Sequence, residues 1–76
     1  METMASAIRL TARQKALISA VVDGCGNRAI AQRFGVSEQT VKNQLSVLFQ
    51  KIGVSSRLEL AMYAVRNGLV RQGGQK

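Results

Sequence analysis

Residues 36–54 read VSEQTVKNQLSVLFQKIGV. Ser37 stands where a helix N-cap belongs, Thr40 follows three residues later, and Val41, Leu45, Leu48 and Ile52 come at 4-3-4 spacing. That spacing lines one face of a helix over 38–52. The other face carries Gln39, Lys42, Asn43 and Ser46, short or medium polar side chains with donors and acceptors. No carboxylate follows Glu38 in this helix. Such a face suits the edge of a base pair and the phosphates beside it. The rest of the chain reads as a scaffold that holds this helix out.

Immediately upstream, Gly35 is a breaker able to take positive φ. It closes a short helix over 27–34 whose apolar face is Ile30, Ala31 and Phe34, with Asn27 or Gly26 as its cap. Two turns are marginal alone, so tertiary packing must hold them. Two helices joined by a tight Gly-containing turn, the second with a polar outer face, match a helix-turn-helix. Further upstream, Thr11 and Gln14 form a capping box, and Leu17, Ile18, Val21 and Val22 define a buried face. Gly24 ends that helix, and Arg13 and Lys15 lie toward solvent. Downstream, Gly53 terminates the central helix. A fourth helix starts at Ser56, which pairs with Glu59 in another capping box, and runs to about Asn67 with Gly68 beyond it. No strand pattern, repeat or Pro interrupts the series. The expected fold is all-α: a four-helix bundle containing a helix-turn-helix.

A chain of 76 residues makes one small domain. A chain of this size buries only about 60% of its unfolded surface, so its stability is marginal and a partner subunit or ligand can matter to it. Residues 1–9 read as a flexible lead or linker stub, 10–70 as the domain, and 71–76 as a flexible tail. Eleven Lys and Arg against four Asp and Glu give a net charge of +7. That balance favours a polyanionic partner, nucleic acid or an anionic membrane, although a soluble surface with a basic bias is common. Cys25 is alone, so no internal disulfide forms, and no signal-like segment is present; both point to the cytoplasm. Cys25 as a redox sensor is conceivable, but nothing else marks a regulatory thiol. With no His, one Cys, no phosphate-cradling Gly-Lys-Ser/Thr loop and no carboxylate pair, we expect no enzyme, no catalytic or metal site and no cofactor.

The chain resembles the DNA-binding domain of LuxR/FixJ-type transcriptional regulators. The residues that carry the resemblance are Leu10-Thr11-x-Arg13, Gly24-x-x-Asn27-x-x-Ile30-Ala31, Val36-Ser37-x-x-Thr40-Val41-Lys42 and Lys51-Ile52-Gly53-Val54-x-x-Arg57, continued by Ala64 and Gly68-Leu69-Val70. Four blocks in order with family-like gaps are far more specific than one. The resemblance implies a four-helix domain whose third helix enters the DNA major groove. It also implies that Lys42, Asn43 and Ser46 face bases, that Thr40 and nearby polar residues touch phosphates, and that the fourth helix makes a dimer contact. The chain departs from the family pattern at Gln14 and Ala29, where Glu is usual, at Gly26, where Ser or Thr is usual, and at Gln44, where His is usual. Losing the box at Gly26 and Ala29 should weaken the start of the second helix by about 1 kcal/mol.

Lys42 and Asn43 are the leading base-reading candidates: Lys can donate to guanine O6 and N7, and Asn can bond adenine N6 and N7. A merely solvated helix face is the bland alternative. Gln39 and Ser46 flank them. Thr40 can cap the helix, donate to a phosphate, or both. Asn27 can aim helix N-terminal N–H groups at a phosphate or serve only as a cap. Lys51 and Arg57, on either side of Gly53, suit phosphates, with an ion pair to a nearby acid as the alternative. Arg28 and Arg33 could also face the backbone.

In the fourth helix, Leu60, Ala61 and Ala64 form one apolar face and Leu58, Met62, Val65 and Leu69 a second. All of this could be core. The alternative is a two-fold interface that gives a homodimer two recognition helices for an inverted repeat.

The function expected is sequence-specific binding of double-stranded DNA and regulation of transcription. A sigma-like promoter-recognition module, in which RNA polymerase is the partner, remains open. So does a protein-interaction module that has lost DNA binding. A membrane binder ranks last, because the polar face is rich in Gln, Asn and Ser.

Overall fold

Each stretch with both a cap and an apolar face forms a helix. The computed structural model describes residues 9–69. It contains α1 (Ala12–Val22), α2 (Asn27–Phe34), α3 (Glu38–Ile52) and α4 (Arg57–Arg66), with no strand among the described residues. The fold is all-α. The flexible lead expected over 1–9 (Arg9 apart) and the tail expected over 71–76 lie outside the described residues, as does Val70.

Local chemistry sets the helix ends. Thr11 Oγ1 accepts from the Gln14 N–H and Gln14 Oε1 accepts from the Thr11 N–H, both at 3.0 Å, so two unpaired donors at the start of α1 are satisfied reciprocally. At α2 the cap is Gly26, which offers no side-chain acceptor, and Asn27 is the first helical residue. At α3, Ser37 Oγ accepts from the Thr40 N–H at 3.0 Å. At α4, Ser56 Oγ accepts from the Glu59 N–H at 3.1 Å, but the Glu59 carboxylate accepts from Ser55 N–H, at 2.7 Å, rather than from Ser56. The capping box expected there is therefore half formed. The extended Ser56 backbone (φ −150°, ψ 165°) leaves the N–H of the preceding residue within reach of the carboxylate.

Gly35 makes the turn between α2 and α3. Its φ of 70° and ψ of 35° are left-handed, a region costly for residues with a Cβ. That conformation lets Val36 N–H reach back to Ala31 O at 3.0 Å, which closes α2. Ser37 then caps α3 within two residues of the end of the turn.

One core unites all four helices. Leu17 and Ile18 of α1, Ile30 of α2, Val41 and Leu48 of α3, and Leu60 of α4 are fully buried. Each such side chain contributes about 1.5–3 kcal/mol relative to leaving it exposed. Ala20 and Ala64 are buried too, which lets helix backbones approach closely. Helix α2 packs on α3, α1 packs on α4, and α1 also touches α3. Leu10, Phe34, Val36, Phe49, Ile52 and Val54 close the edges of the core. Because Val41, Leu45 and Leu48 point inward, the opposite side of α3 must face solvent.

Candidate nucleic-acid interface

The outer face of α3 is an organised polar surface that these packing constraints create. Gln39, Lys42, Asn43 and Ser46 are all exposed on it. Thr40 sits at its start, half-buried, where its Oγ1 accepts from Ser37 Oγ–H at 3.0 Å. Gln39 Nε2 donates to Asn43 Oδ1 at 3.1 Å, so two candidate residues one turn apart form a bonded pair. Lys42 is exposed on the same helix.

Two exposed residues of α3, Val47 and Gln50, were not singled out from sequence. Gln39, Asn43, Ser46 and Gln50 fall at 4-3-4 spacing, the same repeat as the buried residues but displaced around the helix. That spacing was available in the sequence. Val47, 58% exposed, stands one turn beyond Asn43 and adds an apolar group to a polar face. Gln44 is half-buried, and its Oε1 is enclosed without a hydrogen-bond partner among the described residues.

The basic residues expected at phosphates divide into two kinds. Lys51, near the C-terminal end of α3, is exposed and donates from Nζ to Gln14 Oε1 at 3.0 Å. An ammonium has three donors, so this contact leaves others for a phosphate while tying α3 to the start of α1. Arg57 is different. Its guanidinium is half-buried and donates from Nη1 to Asn27 Oδ1 at 2.7 Å and from Nη2 to Cys25 O at 2.6 Å. This fork joins the first residue of α4 to the turn before α2. Neutral oxygens, not a carboxylate, satisfy the charge. Asn27 is thereby held at the N-terminus of α2, where Gly26 leaves the helix N–H groups without a side-chain cap. Arg13 stacks over the Phe34 ring at 4.7 Å from its centroid, which joins α1 to α2 at the surface.

The α4 stripe lies apart from this surface in sequence and element. Leu58, Met62 and Leu69 are 70%, 49% and 37% exposed, and Val65 is half-buried; Leu69, expected within the fourth helix, instead lies past its end, because the left-handed Gly68 (φ 69°) turns the chain after Asn67. Leu60 and Ala64, by contrast, are wholly inside. No helix among the described residues is long and apolar enough to cross a membrane.

A short helix, a glycine turn and a longer helix with a solvent-facing polar side, all packed on one core, define a helix-turn-helix domain. Residues 9–64 match the family of bacterial regulatory proteins known as the luxR family, and the chain belongs to that family. The resemblance drawn from its four sequence blocks therefore holds, and the family is one of regulators rather than enzymes. The chain is 36% identical over 62 residues to the transcriptional regulatory protein YdfI of Bacillus subtilis (strain 168), a match covering 82% of this chain and 29% of that protein. It is also 36% identical over 62 residues to the transcriptional regulatory protein DegU of Brevibacillus brevis, covering 82% of this chain and 26% of that protein. Over 48 residues it is 48% identical to the probable transcriptional regulatory protein SgaR of Hyphomicrobium methylovorum, covering 63% of this chain and 23% of that protein. The chain thus spans less than a third of the length of these relatives.

Proposed function

We propose that residues 10–70 form the DNA-binding unit of a transcriptional regulator that acts in the bacterial cytoplasm, with α3 in the major groove of duplex DNA. The observation that carries this reading is the outer face of α3. It presents Gln39, Lys42, Asn43 and Ser46 together, bears no acid after Glu38, and is anchored on the core by Val41, Leu45 and Leu48. Lys42, Asn43 and Ser46 read base edges, and Thr40 and Lys51 contact phosphates. Asn27 orients the N-terminus of α2 toward a phosphate, and Arg57 acts through Asn27 rather than on DNA. The charge of +7 supplies affinity that is insensitive to sequence, and each neutralised phosphate adds about 0.9 to the salt slope.

The exposed Leu58 and Met62 of α4, with half-buried Val65 beside them and Leu69 just past the helix end, support a second element of the proposal: two copies meet through α4 and engage an inverted repeat.

Selection of bound duplexes from a random library at two salt concentrations tests both elements. Enrichment of an inverted repeat supports specific readout by a dimer. A single enriched half-site supports readout and removes the dimer. Binding that disappears with salt and enriches no sequence removes the whole reading.

A further inference from the structure

We infer that Gln39 is a positioning residue for Asn43. It holds the Asn43 side-chain amide with its oxygen turned toward the start of α3 and its N–H donors turned to the groove, so that this position reads a base by its acceptors. The inference rests on the reading of α3 as the recognition helix and deepens it.

Gln39 Nε2 donates to Asn43 Oδ1 at 3.1 Å. The residues are four apart on one exposed face, a separation at which helical side chains meet. A primary amide carries an acceptor oxygen and an NH2 donor on opposite sides of one planar group. Engaging the oxygen on Gln39 therefore directs the NH2 group away from it. No hydrogen bond among the described residues occupies Asn43 Nδ2. Gln39 lies in the first turn of α3, where the partial positive charge of the helix N-terminus attracts the oxygen end of its amide and so leaves its N–H end for Asn43.

The major groove makes amide polarity informative. Guanine presents two acceptors there, O6 and N7, and thymine one, O4; adenine pairs an N7 acceptor with an amino group, and cytosine presents an amino group alone. An Asn43 amide with its donors outward fits guanine O6 and N7, or thymine O4. It meets the N4 donor of cytosine with a donor of its own. The bidentate adenine contact available to a free Asn requires an oxygen that Gln39 already holds in another direction. Gln39 thus biases a side chain that could read either class of base toward keto bases.

Library selection with the 76-residue chain and three variants tests this. Asn43→Ala identifies the base position, as the one whose preference disappears. At that position the unaltered chain should favour guanine or thymine over cytosine by about twofold, the bias that one exposed amide pair four residues apart can impose. Gln39→Glu places a carboxylate, an acceptor only, beside Asn43. The amide then turns over, its oxygen faces the groove, and preference at the same position moves to adenine or cytosine. The added acid lowers affinity for every sequence, so the readout is relative preference at that position. Acid in the first turn also favours the helix, so the variant keeps its fold. Gln39→Ala frees the amide and broadens preference to both classes. A position identified by Asn43→Ala that keeps its preference in both Gln39 variants overturns the positioning role and leaves α3 as the recognition helix. A preference for adenine or cytosine in the unaltered chain overturns it as well. If the unaltered chain enriches no sequence, the reading of α3 fails and the inference fails with it.

Discussion

Arg57→Ala separates an architectural arginine from a phosphate-binding one. The substitution removes two charge-assisted hydrogen bonds, to Asn27 Oδ1 at 2.7 Å and Cys25 O at 2.6 Å. A hydrogen bond to a charged group contributes about 1.5–3 kcal/mol net. Both bonds are only part-buried, so water partly replaces the lost donor, and a combined loss of about 2–4 kcal/mol is expected. At about 0.05–0.15 kcal/mol per residue, a domain of this size has on the order of 4–11 kcal/mol in total. The loss is thus a large fraction of the whole. With about 4–8 °C per kcal/mol in a small domain, the melting temperature should fall by about 8–32 °C. Urea unfolding followed by far-ultraviolet circular dichroism measures this, with a lower midpoint and an unchanged m-value. Arg57→Lys should recover part of the loss, because an ammonium lacks the planar fork that reaches both oxygens at once. DNA titrations over a salt series complete the comparison. Removing a phosphate contact lowers the salt slope by about 1, whereas removing an internal tie leaves it unchanged. A variant with wild-type stability and a salt slope reduced by about 1 would refute the architectural role.

Asn43→Ala should relax preference at one base position at a cost of about 1–3 kcal/mol for the preferred duplex, and unchanged preference in sequencing of selected duplexes would remove Asn43 from readout. Met62→Glu puts a charge in the exposed α4 stripe; gel-shift affinity for a duplex with two half-sites should drop far more than for one half-site, and equal losses count against an α4 dimer. Leu48→Ala opens the core beneath α3 and should cost about 2–5 kcal/mol in urea unfolding, with cost near zero excluding Leu48 as an anchor. Ser37→Ala removes the α3 cap and should cost about 1 kcal/mol in the same assay.

The sequence by itself determined the number, order and ends of the helices. Capping and periodicity are local. Thr11 with Gln14, Ser37 with Thr40, and Ser56 with Glu59 are each three residues apart, and the glycines after the helices sit where a left-handed residue closes the last turn. The inward set Val41, Leu45 and Leu48 was equally legible, since a 3.6-residue repeat assigns a face without reference to other helices. The outward set followed from it, although Gln50 and Val47 required attention to the full circumference. Tertiary structure decided what lies between elements. The Arg57–Asn27 and Lys51–Gln14 contacts join residues 30 and 37 positions apart, and no local pattern pairs them. The roles of α4's two apolar faces were likewise undecided in sequence, because both have helical spacing and similar hydrophobicity. Packing against α1 buries Leu60 and Ala64 and leaves Leu58 and Met62 outside. A side chain's spacing states which neighbours share its face; only the positions of the other helices state whether that face meets protein or solvent.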